Sequence, residues 1–315
     1  MTDIRYRYPG VRPFDTTQSG QFFGRRRDIL DLFDRITLEK LVVVFGKSGY
    51  GKSSLLNAGI LPKLLHPPVA GRCFLPVTIR FTPFETGDTA TPVSMLRERL
   101  FAAVGNENTQ PVKEPDATLW HSFKACQQPA CRFVLFFDQF EEFFTYPAEQ
   151  QVAFREQLAE LLYTGIPQSV RDQWETLSEV GKIRYSETLD VHAVIAIRED
   201  RLSWLNSLRE ALPAILNQRY EIKGLTDEQA REAITGPAAL PQDAGFACPS
   251  FSYRADALDQ LLAALKKSAA QAGSQQQQRI EAFLLQICCE DIERRLIESA
   301  VQGQPKTVVT PSDLP

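Results

Sequence analysis

Two stretches of this chain hold residue types that together do phosphate chemistry. The first is GKSGYGKS at residues 46–53. Its spacing is glycine, four residues, glycine, lysine, serine. Glycines let successive backbone N–H groups turn toward phosphate oxygens. Lys52 would reach the β- and γ-phosphates, and the Ser53 hydroxyl would hold Mg2+. A helix starting here aims its positive end at the anion. Gly46, Ser48, Gly49, Tyr50, Gly51, Lys52, Ser53 and Ser54 are the expected nucleotide contacts. A glycine-rich turn without a ligand is the alternative; the apolar strand before it and the helix after it argue against that.

The second stretch is FVLFFDQFEEFF at residues 133–144, where Asp138 follows five apolar residues. A phosphate loop needs a carboxylate at a buried strand end to hold Mg2+ through water. Glu141 and Glu142 follow. One of the two can polarise the attacking water as a general base; a carboxylate at Glu142 can equally cap a helix. IAIRED at residues 195–200 puts Arg198 at another strand end. In a parallel sheet all strand C-termini open on one edge. There Arg198 would sense the γ-phosphate, or it pairs with Glu199, Asp200 or another neighbour.

The elements that must position these residues show in the periodicity. Strands are predicted at residues 41–45, 73–81, 132–138 and 191–199; LVVVF (41–45) is β-branched and apolar on both faces, as a buried parallel strand is. Helices are predicted at 25–37, with Ile29, Leu30, Phe33 and Ile36 at helical spacing, and at 52–65, 92–104, 116–127, 147–163 and 168–181. Alternation of strands and helices predicts a parallel, three-layer α/β sheet. After residue 223 the pattern turns helical, at 226–239, 254–267 and 276–301. Three parts are expected: a nucleotide-flanking segment (1–24), a P-loop NTPase domain (25–223) and a helical domain (224–315). QQQQ at 275–278 reads as a loop or helix start. The ending KTVVTPSDLP reads as an extended tail with no closing element, so the chain is expected to be the N-terminal part of a longer protein.

Composition excludes some classes. The 315 residues are 43% hydrophobic and 23% charged, as in a globular protein. Lys and Arg total 35 against 39 Asp and Glu, a net charge of −4. No basic run reads as a nucleic-acid patch. No apolar run approaches the ~20 residues of a membrane span, and no apolar leader is visible at the start. The six cysteines lack the paired spacing of a metal site, so buried, reduced thiols in the cytoplasm are expected.

Taken together, the motifs resemble the STAND class of signal-transduction NTPases, and more narrowly its bacterial novel-STAND branch. YPGVRPF (8–14) is similar to that branch's YPGLRPF opening, and FFGRRRDI (22–29) to its FFGRE motif. GKSSLLNAGILPKL, FFDQFEEFFT, AIREDRLSWL and REAITGPA also have counterparts there. The resemblance implies an AAA+-like core with sheet order 5-1-4-3-2 and helices on both faces, followed by a helical lid and a winged-helix-like region. It implies that Gly24 and Arg25 lie beside the nucleotide, and that Asp138, Glu141 and Glu142 form the Walker B set. It implies ATP, ADP and Mg2+. Phe23 stacks on adenine in that reading, or it is core. Two departures stand out. Arg26 replaces a usual Glu. Ala282 replaces a proline thought to help the lid touch the nucleotide, which puts that contact in question.

The family reading is a switch: ADP holds a closed monomer, ATP permits assembly into a homo-oligomer, and slow hydrolysis resets the state. The setting would be bacterial signalling or antiviral defence. An unknown protein trigger is expected, with sensor and effector domains outside this chain, and no membrane or nucleic-acid partner. The competing reading is a turnover AAA+ ATPase acting on DNA, as initiators and loaders do; the acidic balance weighs against it.

Overall fold

Runs of β-branched and aromatic residues make the strands. The computed structural model describes residues 5–65, 73–105, 117–241, 245–271 and 279–315. It places β1 at Leu41–Gly46, β2 at Cys73–Arg80, β3 at Cys131–Asp138, β4 at Val191–Arg198 and β5 at Arg219–Glu221. They form one parallel sheet in the order β2-β3-β4-β1-β5, flanked by helices, as expected. Arg80 stands in register with Asp138, Phe137 with Ile195, and Phe45 with Glu221. β3 and β4 are buried along nearly their whole length, as strands covered on both faces must be. Asp138 and Arg198 are the last residues of their strands.

The chain divides into two compact units. One gathers described residues from 1–31, 46–62 and 222–315; the other takes residues 32–45 and described residues from 63–221.

The second unit holds the sheet and a large aromatic core. Phe81 sits at its centre, with the rings of Phe137, Phe140, Phe143, Tyr146 and Phe154 at 5.6–6.2 Å. Buried polar groups at the opposite end of the sheet are paired. Arg132 donates to Asp190 at 2.8 Å and to the Thr37 carbonyl. His192 Nδ1 lies 2.8 Å from the Ile36 carbonyl.

The first unit packs the helices Asp227–Ala239, Ala255–Gln271 and Ala282–Val301 with a short parallel pair, β6 (Ser252–Tyr253) and β7 (Val308–Val309). The N-terminal segment is threaded into this helical core. Arg7 and Glu293 are both fully buried. The Glu293 carboxylate accepts the backbone N–H groups of Arg7 and Tyr8, while the Arg7 guanidinium donates to the carbonyls of Pro237, Leu240 and Cys248. Those bonds satisfy charges that would otherwise be costly to bury.

Several expectations need correction. The helix predicted at 25–37 runs Arg26–Leu38 and buries Leu32, Phe33 and Ile36, while Leu30 is exposed. The single helix predicted at 168–181 is two, Gln168–Asp172 and Glu179–Ser186, because the Ser178 side chain caps a new start by accepting the Gly181 N–H. The last helix begins at Ala282, since Ile280 is extended and bridged to Leu225. QQQQ, residue 116 and residues 276–278 lie outside the described residues. The extended tail is tied down through β7, with Val309 fully buried. Cys73 and Cys131 are not reduced: they face each other in register on β2 and β3, Cα atoms 4.5 Å apart, and form a disulfide. The remaining four cysteines are thiols. Among the described residues no helix is long and apolar enough to cross a membrane.

Burial pushes the His192 imidazole down to about 4, so the folded chain keeps it neutral. The unfolded chain protonates it near pH 6.5. Stability is therefore expected to fall as pH drops from about 6.5 toward about 4, with His192 accounting for about 2 kcal/mol of loss by pH 5. Urea unfolding at pH 7, 6 and 5 checks this, and His192→Asn is expected to flatten the slope.

Candidate functional site

The phosphate loop lies in the first unit. Gly49 and Gly51 have φ of +80° and +90°, a region that residues with a Cβ adopt only at a cost. The helix that follows spans residues 52–65 and contains a wider π-helical stretch, Leu55–Ile60. That stretch lies just before Pro62, which has no N–H to continue the ordinary pattern. Lys52 turns back over the loop, its Nζ donating to the carbonyls of Gly46 at 2.8 Å and Lys47 at 3.1 Å. An ammonium stationed within a glycine turn is the donor set a polyphosphate needs, so the residues present fit that ligand. Ser53 is half-buried in the first turn of the helix, and Ser48 is exposed.

Two carbonyls of the loop are held from outside it. The Tyr50 carbonyl accepts Arg25 Nη2 at 2.9 Å. Arg25 is 4% exposed; the same nitrogen reaches the Lys223 carbonyl at 2.8 Å, and Nη1 reaches Asp28 at 3.1 Å. The Gly49 carbonyl accepts the backbone N–H of Phe283 at 3.0 Å. Ala282, where a proline was expected, still meets the loop: a Cβ on Gly51 would lie 3.8 Å from its own. The substitution leaves the first turn of this helix on the phosphate loop.

The residues around Arg25 are packed tightly. Gly24 has φ +80°, and a Cβ there would come 2.3 Å from the Gln229 carbonyl oxygen. The Phe23 ring lies against Gly236, where an added Cβ would be 2.4 Å from the ring. One face of Phe23 is thus spent on packing. Ser54, a predicted nucleotide contact, accepts the Phe14 N–H at 3.2 Å and so ties the N-terminal segment to the helix. Arg26 is exposed.

The carboxylates and Arg198 belong to the second unit. Asp138 is 6% exposed, and its Oδ1 accepts the Gln139 N–H at 3.0 Å. Gln139 takes a left-handed conformation, φ +53°, and its side chain is held by Arg80 at 2.8 Å. This sharp joint starts the 3-10 turn Phe140–Thr145. With three residues per turn, Phe140 and Phe143 fall on one side, and both are fully buried. Glu141 and Glu142 are thereby left on the half-buried sides. Glu141 accepts the Arg198 N–H at 3.3 Å. The Glu142 carboxylate takes no hydrogen bond among the described residues and lies in the first turn of the 3-10 helix, where a negative charge is favourable. The Arg198 guanidinium grips Asp200 with two bonds of 3.0 Å, one of the alternatives left open by the sequence. That bonding holds the Asp200 carboxyl below the usual carboxylate range.

Sequence reasoning missed the roles of Arg7, Glu293 and Phe283. Phe283 acts through its main chain, which leaves no trace in residue type.

A family model described as Novel STAND NTPase 1 matches residues 8–246. No curated protein matches. Among solved structures, the ORC2 protein of Aeropyrum pernix in its ADPNP-ADP complexes superposes with a TM-score of 0.58 at 13% identity, over 99% of this chain and 68% of that one. The Walker-type ATPase paby2304 of Pyrococcus abyssi gives 0.53 at 12% identity, over 93% and 72%. Cdc6p of Pyrobaculum aerophilum gives 0.52 at 15% identity, over 92% and 65%. At these identities the likeness is one of fold. The chain spans less than two thirds of the Cdc6p length and somewhat more of the other two.

Gly236→Ala is expected to lower stability by about 1–3 kcal/mol, because its methyl group collides with the Phe23 ring. Phe23→Leu in the same chain is expected to restore part of the loss. Urea unfolding of the two single variants and the double variant measures the coupling.

Proposed function

The chain belongs to the novel STAND NTPase 1 family, and from that premise we propose that it is an ATP- and ADP-binding switch with slow hydrolysis. In the ADP state it is a closed monomer; in the ATP state it assembles with copies of itself. We propose a bacterial signalling or antiviral setting, with the trigger and the output in other proteins or domains. The observation that carries the reading is the bonding of the phosphate loop. Arg25 and the Phe283 amide, from segments before and after the loop in the chain, both hold its carbonyls. A nucleotide that alters the loop therefore has a direct line to those segments, which is what differential affinity of two conformers requires.

Each residue has a task in this reading. The amides of the loop bind the phosphates, and Lys52 stabilises charge on the β- and γ-oxygens. Ser53 and Asp138 would hold Mg2+, which when bound screens the phosphate charge. Glu142, with no hydrogen bond of its own, takes the proton of the attacking water. Arg198 senses the γ-phosphate by exchanging Asp200 for it, since a phosphate offers the same bidentate geometry with more charge. Cytoplasmic residence is part of the proposal, and it makes the Cys73–Cys131 pair an exception to the rarity of disulfides there. The excess of acidic over basic residues argues against a DNA-driven turnover enzyme.

Fluorescence titration with labelled ATP is expected to show about 10- to 100-fold weaker binding for Lys52→Ala, from loss of a charge-assisted bond. Unchanged affinity would contradict the assignment. Glu142→Gln is expected to keep ATP binding and cut phosphate release by roughly 10²- to 10⁴-fold. Sedimentation velocity of that variant should then show larger species with MgATP than with MgADP.

A further inference from the structure

We propose that Cys73 and Cys131 are a redox-operated clasp on the edge of the main sheet: glutathione opens and recloses their disulfide in the folded chain, and the bond decides whether the first half of β2 is held down. The two cysteines open their strands, β2 and β3, and stand directly opposite each other. The register pairs every residue of β2 with β3, from Cys73 with Cys131 to Arg80 with Asp138. That ladder, rather than the sulfur bond, brings the Cα atoms to 4.5 Å. Reduced thiols therefore still face each other, within the separation a disulfide spans. Both residues are half-exposed, so a glutathione thiolate can reach the sulfurs. Exposed disulfides are the labile ones. In a reducing cytoplasm a disulfide is usually transient or redox-sensing.

The bond is the main fastening of this end of the strand. β2 is the edge of the sheet, with β3 as its one neighbour there. Its first four residues are half-buried, whereas Val77 and Ile79 further along are 1% exposed. Phe74 meets the Phe33 ring edge-on at 6.4 Å, and Leu75 packs partly against the core. The Cys73 N–H donates to the Ala130 carbonyl at 3.3 Å, and the Phe81 N–H to the Asp138 carbonyl at 3.1 Å. Parallel strands bond through alternate residues, so Leu75 also points its N–H at β3. Pro76, which has no N–H, falls on the open edge, where proline is tolerated. The turn before β3 adds little support, because Ala130 sits at φ +58°, a left-handed conformation that costs a residue with a Cβ. With the sulfur bond closed, this end cannot leave β3. With it open, partial packing and the last ladder bonds are all that hold it, and such segments open locally. Cys126 does not compete for either sulfur: it is 2% exposed, and burial pushes its thiol up to about 11, which leaves little thiolate at neutral pH.

The chemistry balances with glutathione alone. A glutathione thiolate attacks one sulfur of the pair; a mixed disulfide forms, and the other cysteine leaves as a thiolate and takes up the proton glutathione gave. A second glutathione thiolate attacks the glutathione sulfur of the mixed disulfide. Oxidised glutathione forms, and the remaining cysteine leaves and is protonated in turn. Two electrons pass from the two glutathiones to the pair, and the reverse sequence recloses the bond.

The test uses the wild-type chain, folded and at neutral pH, in glutathione buffers of graded poise. Iodoacetamide traps the open thiols, and peptide mass spectrometry reads which cysteines they are. Cys73 and Cys131 are expected to open together at cytosolic poise and to reclose with each other when oxidised glutathione is added, with the circular dichroism unchanged throughout. Hydrogen exchange read amide by amide is expected to be about tenfold or more faster at Leu75 in the open form, and unchanged at Val77 and Ile79. A pair that stays closed at cytosolic poise is a structural bond and overturns the proposal. Unfolding on reduction, re-formation with Cys126, or equal Leu75 exchange in the two forms would overturn it as well.

Discussion

A phosphate loop must aim its amides at an anion before the anion arrives, and the carbonyls of those same peptides must then find partners elsewhere. In this protein they find Arg25 and the Phe283 amide. Much of the first unit follows from that need. Arg25 is buried and requires several acceptors, which it finds at Tyr50, Lys223 and Asp28. Asp28 is shared with Gln229, and Gly24 lets the chain pass within contact of the Gln229 carbonyl. The Ile280–Leu225 bridge delivers Phe283. Further out, the buried Arg7 and Glu293 fasten the N-terminal segment into the same helical core.

The second unit solves a different problem, that of placing carboxylates at the end of a buried strand. Its answer is aromatic packing. Phe140 and Phe143 are drawn onto Phe81 at 5.6 and 5.7 Å, and the 3-10 turn then has only one way to face. Glu141 and Glu142 follow by geometry, without needing attractive partners of their own. Glu141 nevertheless takes one, the Arg198 N–H, linking the ends of β3 and β4. Arg198 rests on Asp200, which neutralises it while leaving it exchangeable.

Much of this was legible in the sequence. Four strands of the main sheet were visible; both-face burial of β1, β3 and β4 writes itself as apolar runs, whereas the two- and three-residue strands β5, β6 and β7 are too short to leave one, and the order of the main sheet followed from the family resemblance. The glycine spacing of the phosphate loop was legible because positive φ at Gly49 and Gly51 selects for glycine. What escaped was set by long-range or main-chain contacts. Nothing local distinguishes the buried Glu293 from the more accessible Glu290, Asp291 and Glu298 on the same helix. The Phe283 N–H is present in any residue but proline. The Cys73–Cys131 disulfide depends on strand register, which spacing of 58 residues does not encode. The split near Ser178 was a missed cap, and the capping oxygen was there to be seen.

The central claim is that the loop holds a nucleotide as a state. The most direct test is to purify the chain, denature it and identify any released nucleotide by chromatography. The account predicts stoichiometric ADP, retained through purification because Arg25 and the Phe283 amide already hold the carbonyls of the loop. An empty chain that hydrolyses added ATP rapidly, and faster with DNA, would contradict it, as would a chain that takes up no MgATP at all.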